Sequence, residues 1–318
     1  MKRDTKTIGV VIVSYNTCAL LSDCLDSLRA SGQRLSIVVV DNGSSDGSQA
    51  MLAAQPDLSL IETDKNLGFG AANNLGWRYL ASQAGGLPEF VLFLNPDTKL
   101  QPGALERLVA FLEAHPRVGV VGPRLLNPDA SLQRAAFRFP TLSMACLDLF
   151  PPGEVLPGRF YDSWWHGRYP HEALNQNEPF AIDHPLGACM LTRRAVLEEV
   201  GGFDERYFMY SDEVEWCWRV RAAGWAIWQQ PQAEVIHYGG ASTSQFRHKM
   251  FVELYRSRFQ FARDYRSSAY QAAYRAIVRL GMLRLILVAW RAYWCHAIDR
   301  AELRARLWAY GRVFVLGR

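Results

Sequence analysis

The strongest structural signal in the sequence is the apolar run Phe90-Val91-Leu92-Phe93-Leu94, followed at once by Asn95-Pro96-Asp97-Thr98. Five consecutive apolar residues predict a strand that is buried on both faces. The polar residues end it, because Pro cannot donate a hydrogen bond to a central ladder. Asp97 is therefore expected just beyond the carboxyl end of a core strand, where open α/β sheets bind ligands. Its oxygens suit Mg²⁺ or Mn²⁺, although an Asp in this position also forms turns.

Strand-like and helix-like segments alternate through the first half of the chain. The pattern predicts strands at residues 8–13, 35–40, 58–62, 90–94 and 118–122, and helices at 18–30, 48–55, 71–82 and 103–114. This alternation predicts an α/β fold with right-handed crossovers and a mostly parallel sheet flanked by helices. The loops at the carboxyl ends of the strands are then the expected location of the chemistry.

The second half of the chain is less regular. Residues 127–179 are rich in Pro, Gly and aromatic side chains without a sustained period, and we expect a flap that faces the substrate. Further on, the pattern predicts a helix at 213–223, two short strands at 225–229 and 233–237, and a helix at 270–288. These features suggest a catalytic domain over residues 1–246 and a basic, amphipathic helical region over 247–318.

Composition and cysteine usage indicate an ordinary globular protein. The 318 residues are 49% hydrophobic and 21% charged. The six cysteines form no C-x-x-C pair, so we expect reduced thiols and neither a zinc site nor disulfides. Met1-Lys2-Arg3-Asp4 leads directly into the first predicted strand, a pattern without a secretory signal that favours a cytoplasmic location.

The charge is unevenly distributed. Residues 247–318 hold 15 Lys and Arg against four Asp and Glu, a net charge of +11, whereas residues 1–246 hold 20 against 27, a net charge of −7. Such asymmetry suggests a polyanionic partner. The apolar run 285–290 lies between Arg284 and Arg291 and is too short to span a bilayer, which takes about 20 residues. It fits an anionic membrane surface or packing against the body; no nucleic-acid motif is visible.

Four polar loops follow the predicted strands and are candidates for ligand binding. They are Ser14-Tyr15-Asn16, Asp41-Asn42-Gly43-Ser44, the segment 64–70 with Asn73 and Asn74 in the helix after it, and Asn95-Pro96-Asp97. Asp41 can accept hydrogen bonds from a ribose or base, or form an Asx turn. Gly68 and Gly70 permit close approach of a ligand, and the following helix N-terminus favours phosphate. Asn73 stands where a dinucleotide fingerprint requires Gly, so a nicotinamide enzyme is not favoured.

Two further groups complete the set of candidate residues. Asp212, Glu213 and Glu215 begin a predicted helix, where the helix dipole favours acidic residues. Asp212 and Glu213 cannot both cap it, so one of them is a candidate general base. His237 ends a short strand before Gly239; it is either structural or a partner of Asp97 on a metal or diphosphate.

The order of these motifs resembles the inverting glycosyltransferases of family 2, which have the GT-A fold, and in particular their bacterial rhamnosyltransferase-like branch. The matching segments are 10–16, 39–48, 66–74, 94–97, 187–190, the acidic helix start and His237, which together span residues 8–244.

The resemblance implies a role for each matching residue. Asp41 would hold the nucleobase or ribose of a nucleoside-diphosphate sugar. Asp97, in a D-x-D-type motif whose first acid is replaced by Asn95, would bind Mg²⁺ or Mn²⁺ with help from His237. Glu213 would be the general base, with Asp212 as the alternative. The nucleotide-sugar site would comprise Ser14, Tyr15, Asn16, Asp41, Gly43, Asn66, Gly68, Gly70, Asn73, Asn74, Asn95, Gly187 and Ala188.

The resemblance also implies the partners. The acceptor would be a glycan or a lipid-linked glycan at the inner face of the cell membrane, in surface polysaccharide synthesis. Branch resemblance favours dTDP-L-rhamnose as donor, and UDP- and GDP-sugars remain open. Two other classes also stay open at this point: a nucleotidyltransferase acting on sugar phosphates, and a non-catalytic peripheral membrane protein.

Overall fold

A computed structural model describes residues 7–151, 159, 161, 163–167, 169, 171–239 and 246–316. The chain divides into two compact units. The first unit comprises Met1–Arg138, His171–Phe208 and Asp212–Ser242, and the second comprises Phe139–Pro170, Met209–Ser211 and Thr243–Arg318. Residues 139–170, which the sequence placed in the acceptor-side flap, thus group with the C-terminal helices.

The first unit is built on one ten-stranded mixed sheet and a separate pair of short strands. Its strands are β1 (Ile8–Ser14), β2 (Leu35–Asp41), β3 (Leu58–Glu62), β4 (Phe90–Leu94), β5 (Thr98–Leu100), β6 (Val118–Leu126), β7 (Leu132–Gln133), β8 (Ala136–Phe137), β9 (Phe180–Ala181), β10 (His184–Pro185), β11 (Cys189–Arg193) and β12 (Ala226–His237). The sheet order is β3-β2-β1-β4-β11-β6-β12-β5, with β7 on β6, β9 on β12, and β8 and β10 paired separately. The run β3-β2-β1-β4 is parallel, as predicted.

The helices of this unit follow the strands along the chain. They are α1 (Cys18–Arg29), α2 (Ser48–Ala53), α3 (Phe69–Ser82), α4 (Ala104–Ala114), α6 (His171–Asn175), α7 (Arg194–Val200) and α8 (Asp212–Ala222), with α5 (Leu142–Leu149) belonging to the second unit. In α1 the residues Leu21, Leu25 and Leu28 recur at helical spacing and are buried against the sheet core. All five residues of β4 are buried, which confirms the prediction from its apolar run.

The structure corrects two of the sequence-based element assignments. The predicted strands at 225–229 and 233–237 form one strand, β12, whose register with β6 shifts between Gln230 and Glu234. Pro231 lies within this shift. Because proline has no backbone N–H to donate to the neighbouring strand, it is tolerated at such an irregularity in the pairing. The stretch 127–179 is also less irregular than expected, because its described part includes β7, β8, α5 and α6.

The second unit is helical in its described part. Besides α5 it contains α9 (Arg247–Tyr265), α10 (Ser268–Trp294), α11 (Arg300–Val315) and a short 3₁₀ turn at Trp164–His166. Side chains cap three of these helices, because Thr141, Ser267 and Asp299 accept hydrogen bonds from backbone N–H groups in the first turns of α5, α10 and α11. In the part of the chain that the structure describes, no helix is both long enough and apolar enough to cross a lipid bilayer.

Gly68 is required by its surroundings at the start of α3. Its φ of +89° lies in the left-handed region, and a Cβ built on it would come 2.1 Å from the carbonyl oxygen of Phe208. Both are backbone constraints, so no side-chain rearrangement relieves them. We expect Gly68→Ala to lower the free energy of unfolding by about 3 kcal/mol, measured by urea denaturation.

Gly47 provides the matched control for this substitution. It precedes α2 as Gly68 precedes α3 and has a similar φ of +90°, but its ψ is 0° where that of Gly68 is 173°, and a Cβ at Gly47 would meet nothing within 4 Å. Gly47→Ala should therefore show only the cost of the left-handed backbone, about 1–2 kcal/mol. Equal losses for the two variants would contradict the steric argument at Gly68.

Candidate active site

Asp41 ends β2 and is fully buried. Its Oδ1 accepts hydrogen bonds from the Ser44 backbone N–H (3.0 Å) and from Gln49 Nε2 (3.0 Å), while Oδ2 is buried and has no hydrogen-bond partner among the described residues. A buried carboxylate oxygen without a partner carries an unfavourable desolvation cost. Asp41 therefore shapes its own turn through Oδ1, and its Oδ2 is left without a hydrogen bond from the described residues.

The loops after β1 and β2 are tied to each other. Ser14 and Asp41 are directly paired at the ends of the two strands. Asn16 has a left-handed φ of 52°, its backbone N–H donates to Ser44 Oγ (3.0 Å), and its Oδ1 accepts from the Ser45 N–H (2.8 Å). Tyr15, between them, is partly exposed. The structure thus brings Ser14, Tyr15 and Asn16 beside the Asp41 turn.

The loop before α3 docks on the same turn through Asn42. Asn42 Nδ2 donates to Asn66 Oδ1 (3.0 Å) and to the Gly68 carbonyl (3.3 Å), and Asn42 Oδ1 accepts from the Leu67 N–H (2.8 Å). At Gly43 an added Cβ would lie 3.1 Å from the Lys65 backbone, so the two loops approach closely. The helix α3 then begins at Phe69 without a side-chain cap. Its first N–H, that of Phe69, donates to the Phe208 carbonyl (2.9 Å), which leaves only the N–H groups after it for phosphate oxygens.

Asp97 and His237 face each other where β5 begins and β12 ends, because Thr98 of β5 pairs with His237 of β12. The Asp97 Oδ1 and His237 Nε2 atoms are 3.4 Å apart, and both side chains are about nine-tenths buried. The Tyr238 N–H donates to the Asp97 carbonyl, which fixes the two strand ends together. Among the described residues no group of three or more His, Cys, Asp and Glu side chains converges as a metal cage. Two protein ligands nevertheless fit Mg²⁺ or Mn²⁺, which are commonly shared with substrate phosphates.

Gln133 orients the His237 ring, and sequence reasoning missed it. His237 Nδ1 is 2.7 Å from Gln133 Oε1, while Gln133 Nε2 donates to Asn127 Oδ1 and to the His237 carbonyl. This network assigns Oε1 as the acceptor, so Nδ1 carries the proton. In the neutral ring the lone pair of Nε2 then points at the Asp97 carboxylate. Two electron-pair donors so arranged fit a shared cation, which supports the pair as a metal site.

The acidic start of α8 lies beside the glycines of two other loops. A Cβ on Gly187 would contact Glu213 at 3.6 Å, and one on Gly70 would lie 3.8 Å from the Asp212 Cβ. Glu213 is partly exposed, whereas Asp212 is only 2% exposed and its Oδ2 has no partner within the described ranges. Of the two carboxylates, Glu213 is thus the one that a substrate can reach.

The pKa of Asp212 is shifted by its burial. Burial raises the pKa of Asp212 well above its usual value, and the Glu213 charge and a hydrogen bond with Glu213 raise it further. His184 lies close enough for the Glu213 charge to oppose the lowering of the pKa of His184 by burial.

Asp212→Asn should stabilise the protein. Since the pKa of Asp212 is raised on folding, the folded state holds its proton to higher pH than the unfolded state, and Asp212 makes stability fall as pH rises above about 4. Removing the group should raise Tm at pH 7 by about 2–4 °C, corresponding to about 1 kcal/mol. Differential scanning fluorimetry between pH 4 and pH 8 measures this. If the difference in Tm between Asp212→Asn and wild type does not grow from pH 4 to pH 8, the pKa of Asp212 is not raised on folding.

Glu215, the third acidic residue of this segment, has a structural role. It is buried and forms two hydrogen bonds with the Arg219 guanidinium (2.7 and 2.9 Å). Arg219 also donates to the carbonyls of Val200 and Gly202. Just before α8, Tyr210 and Ser211 have φ values of 65° and 58°. Two successive non-glycine residues in the left-handed region carry backbone strain next to the candidate base.

The remaining predicted residues take different places. Asn95 follows β4, and its N–H donates to the Ala188 carbonyl (2.8 Å), so both lie at the edge where the parallel strands end. Asn73 is buried and its Nδ2 donates to the Phe69 carbonyl. Asn74 uses both amide N–H groups on Phe203 O and Glu205 Oε1, and its Oδ1 accepts from Trp77 Nε1 and the Phe203 N–H. With these four bonds Asn74 supports the protein interior.

The comparisons with known proteins agree with this fold. Residues 9–201 match the glycosyl transferase family 2. The chain is 32% identical over 283 residues to N-acetylglucosaminyl-diphospho-decaprenol L-rhamnosyltransferase of Mycobacterium tuberculosis, covering 86% of this chain and 90% of that protein. It is 26% identical over 261 residues to the rhamnosyltransferase WbbL of Escherichia coli, covering 80% and 92%.

A solved structure shares the fold. The mannosyltransferase PcManGT from Pyrobaculum calidifontis, determined with GDP-Man and Mn²⁺, superposes with a TM-score of 0.57 at 17% identity over 99% of this chain and 89% of its own. The fold is therefore of the GT-A type, an α/β sheet with flanking helices and C-terminal helices, as the resemblance implied. The chain belongs to glycosyl transferase family 2 and is a glycosyltransferase. This assignment decides against the nucleotidyltransferase and non-catalytic alternatives.

Proposed function

We propose that this glycosyltransferase moves a sugar, with L-rhamnose favoured, from a nucleoside-diphosphate sugar to a lipid-linked glycan in surface polysaccharide synthesis. Relatives that cover most of the chain act as rhamnosyltransferases, and one of them carries a decaprenol-linked acceptor in its name. With a lipid-linked acceptor, sugar transfer would take place at the inner face of the cell membrane. The net charge of +11 on residues 247–318 suits an anionic membrane surface. The protein would then be cytoplasmic and peripheral.

The observation that carries the proposal is the meeting of three acidic positions at one edge of the sheet. Asp41 and Asp97 follow the carboxyl ends of the parallel strands β2 and β4. Gly187 and Ala188 precede β11, which is antiparallel and therefore starts at the same edge, and Gly187 adjoins Glu213. Ligands of open α/β sheets bind at this edge.

Each part of the site then has one task. Asp41 Oδ2 accepts a hydrogen bond from the ribose or base, and the backbone around Gly43, Asn66 and Gly68 allows the nucleotide to lie close. Asp97 and His237 would hold Mg²⁺ or Mn²⁺, which neutralises charge on a leaving nucleoside diphosphate when bound. Ser14, Tyr15, Asn16, Gly70, Asn95, Gly187 and Ala188 would form the walls of the donor site.

Glu213 is proposed as the general base. Its carboxylate would take the proton from an acceptor hydroxyl, whose oxygen attacks the anomeric carbon as the bond to the diphosphate oxygen breaks on the opposite face, which inverts the configuration. We assign Asp212 the task of orienting Glu213 through the hydrogen bond between them. We also propose that part of the segment 127–179 lines the acceptor side.

A donor survey tests the proposed function. The full chain is incubated with a lipid-linked N-acetylglucosaminyl diphosphate and, separately, dTDP-L-rhamnose, UDP-sugars and GDP-sugars, with Mn²⁺, Mg²⁺ or EDTA. We expect release of a nucleoside diphosphate from one donor class, dependent on both metal and acceptor, and mass spectrometry should show one added hexose or deoxyhexose. Absence of transfer from every donor class would contradict the proposal.

A further inference from the structure

The long helix α10 has a second apolar face that points to solvent. One face packs into the core of the second unit through Tyr274, Val278, Met282 and Ala289, all of which are buried. The other side carries a row of large apolar residues at alternating spacings of three and four, which we name the α10 stripe: Leu280, Leu283, Leu287, Trp290 and Trp294. Leu287 and Trp294 are 70% and 71% exposed. An amphipathic helix that only docks on its own protein has one apolar face.

Exposed apolar residues concentrate on this helix. Of the eleven large hydrophobic side chains that are exposed in the described part of the chain, six lie on α10 and two more on α11. Single exposed apolar residues are ordinary, but a contiguous row marks a surface that binds another apolar phase. The row extends over about 21 Å, given the 1.5 Å rise per residue of a helix.

Arginines flank the stripe, and acidic residues do not. The 27 residues of α10 include Arg275, Arg279, Arg284 and Arg291 and no Asp or Glu. At 100° per residue, Arg284 and Arg291 fall along one border of the stripe and Arg279 along the other. On α11 the exposed Trp308 and Val315 share a face with the exposed Arg304 and Arg312. The surface thus combines apolar, tryptophan and arginine side chains.

We propose that the α10 stripe docks on the surface of an anionic lipid bilayer, with the helix lying in the plane of the interface. Leucines and tryptophans enter the boundary between headgroups and acyl chains, and the exposed Arg291 reaches lipid phosphates, whereas Arg279 and Arg284 donate to the carbonyls of Phe314 and Leu149. A second copy of the chain fits less well, because two stripes placed together bring arginines against arginines without an acid on either helix. The inference rests on the proposed function in its choice of the membrane as partner.

Vesicle binding tests the stripe. The full chain is sedimented with vesicles of phosphatidylcholine alone and of phosphatidylcholine with phosphatidylglycerol, without donor or acceptor. We expect binding that requires phosphatidylglycerol. The triple variant Leu283→Gln, Leu287→Gln, Trp294→Gln should bind at least about tenfold more weakly, since it removes three side chains from the apolar phase. Its control, Ala53→Gln with Ala81→Gln, alters exposed alanines on α2 and α3, away from the stripe, and should bind like wild type.

The arginines give a second, independent readout. Arg291→Gln combined with Arg304→Gln should weaken binding at low salt by about fivefold for each arginine and make the salt dependence shallower. Quenching of tryptophan fluorescence by lipids brominated on the acyl chains should diminish in Trp290→Phe with Trp294→Phe. Circular dichroism and thermal melts of every variant verify that the fold is intact.

Each outcome decides for or against the stripe. Equal vesicle binding by wild type and the folded triple variant would overturn the proposal, as would failure of the wild type to bind anionic vesicles. Sedimentation equilibrium that shows a dimer dissolved by the triple variant, without lipid binding, would assign the surface to self-association instead. Glu213→Gln should bind vesicles like wild type, so a failure of docking and a failure of the proposed transfer reaction are seen separately.

Discussion

Glu213→Gln is expected to lower kcat for sugar transfer by about 10²–10⁴-fold and to leave donor affinity within about twofold. The substitution keeps the size of the side chain and its place beside Gly187, but an amide cannot accept the proton of the acceptor hydroxyl. Steady-state rates of nucleoside diphosphate release, with donor affinity from calorimetry, separate the two effects. Transfer at near wild-type rate would remove Glu213 from the role of base.

Two control variants sharpen this experiment. Glu198→Gln removes a carboxylate that is exposed on α7, where it pairs with Arg194 at 3.6 Å, and it should leave kcat unchanged. Asp212→Asn distinguishes the two candidate bases, because an amide at this position still donates a hydrogen bond to Glu213. If Glu213 is the base, Asp212→Asn retains most of the transfer activity. A loss as large as that of Glu213→Gln would shift the assignment to Asp212.

Asp97→Ala is expected to abolish the enhancement of donor affinity by Mn²⁺ and to lower kcat/KM by at least about 100-fold. A metal that neutralises a leaving diphosphate contributes several kcal/mol to transition-state stabilisation, and Asp97 is one of the two protein groups that fit as its ligands. Calorimetric titration of the donor with Mn²⁺ and with EDTA measures the difference directly. The donor affinity of the wild type should be much higher with Mn²⁺ than with EDTA, and that of the variant should be the same in both.

Asp57→Ala is the matched control for Asp97→Ala. Asp57 precedes β3 at the opposite edge of the sheet and pairs with Arg29 on the surface at 2.8 Å. Its removal should leave the effect of Mn²⁺ on donor affinity intact. A persistent Mn²⁺ effect in Asp97→Ala would show that the metal is held elsewhere.

The parallel part of the sheet and the position of the site could be predicted because both depend on local sequence. The apolar runs at 8–13, 35–40 and 90–94 predict buried strands, and parallel strands end at a common edge, so Asp41 and Asp97 were expected near each other. The D-x-D-type segment supplied Asp97, the acidic helix start supplied Asp212 and Glu213 as alternatives, and the family resemblance favoured Glu213. These features need only a window of about ten residues and a rule of topology.

The parts that were missed depend on contacts between distant residues. Gln133 meets His237 across 104 positions of sequence, and nothing around Gln133 distinguishes it from an ordinary surface glutamine. His184 is a similar case, since it comes close to Glu213 only in the folded chain. The local signal at Pro231 pointed to a break, whereas pairing with β6 carries the strand through it. Tertiary pairing overrode the propensity there.

The position of β11 in the sheet delays completion of the sheet during synthesis of the protein. This strand lies between β4 and β6 in the sheet, but it follows Leu94 by about 95 residues in sequence. At about 5–20 residues per second, the ribosome takes about 5–20 seconds to deliver it. Throughout that interval the emerging chain holds β4 as an unpaired, wholly apolar edge, the kind of template on which aggregation starts. The part of the sheet between β4 and β6 therefore cannot be completed before Cys189–Arg193 has been synthesised.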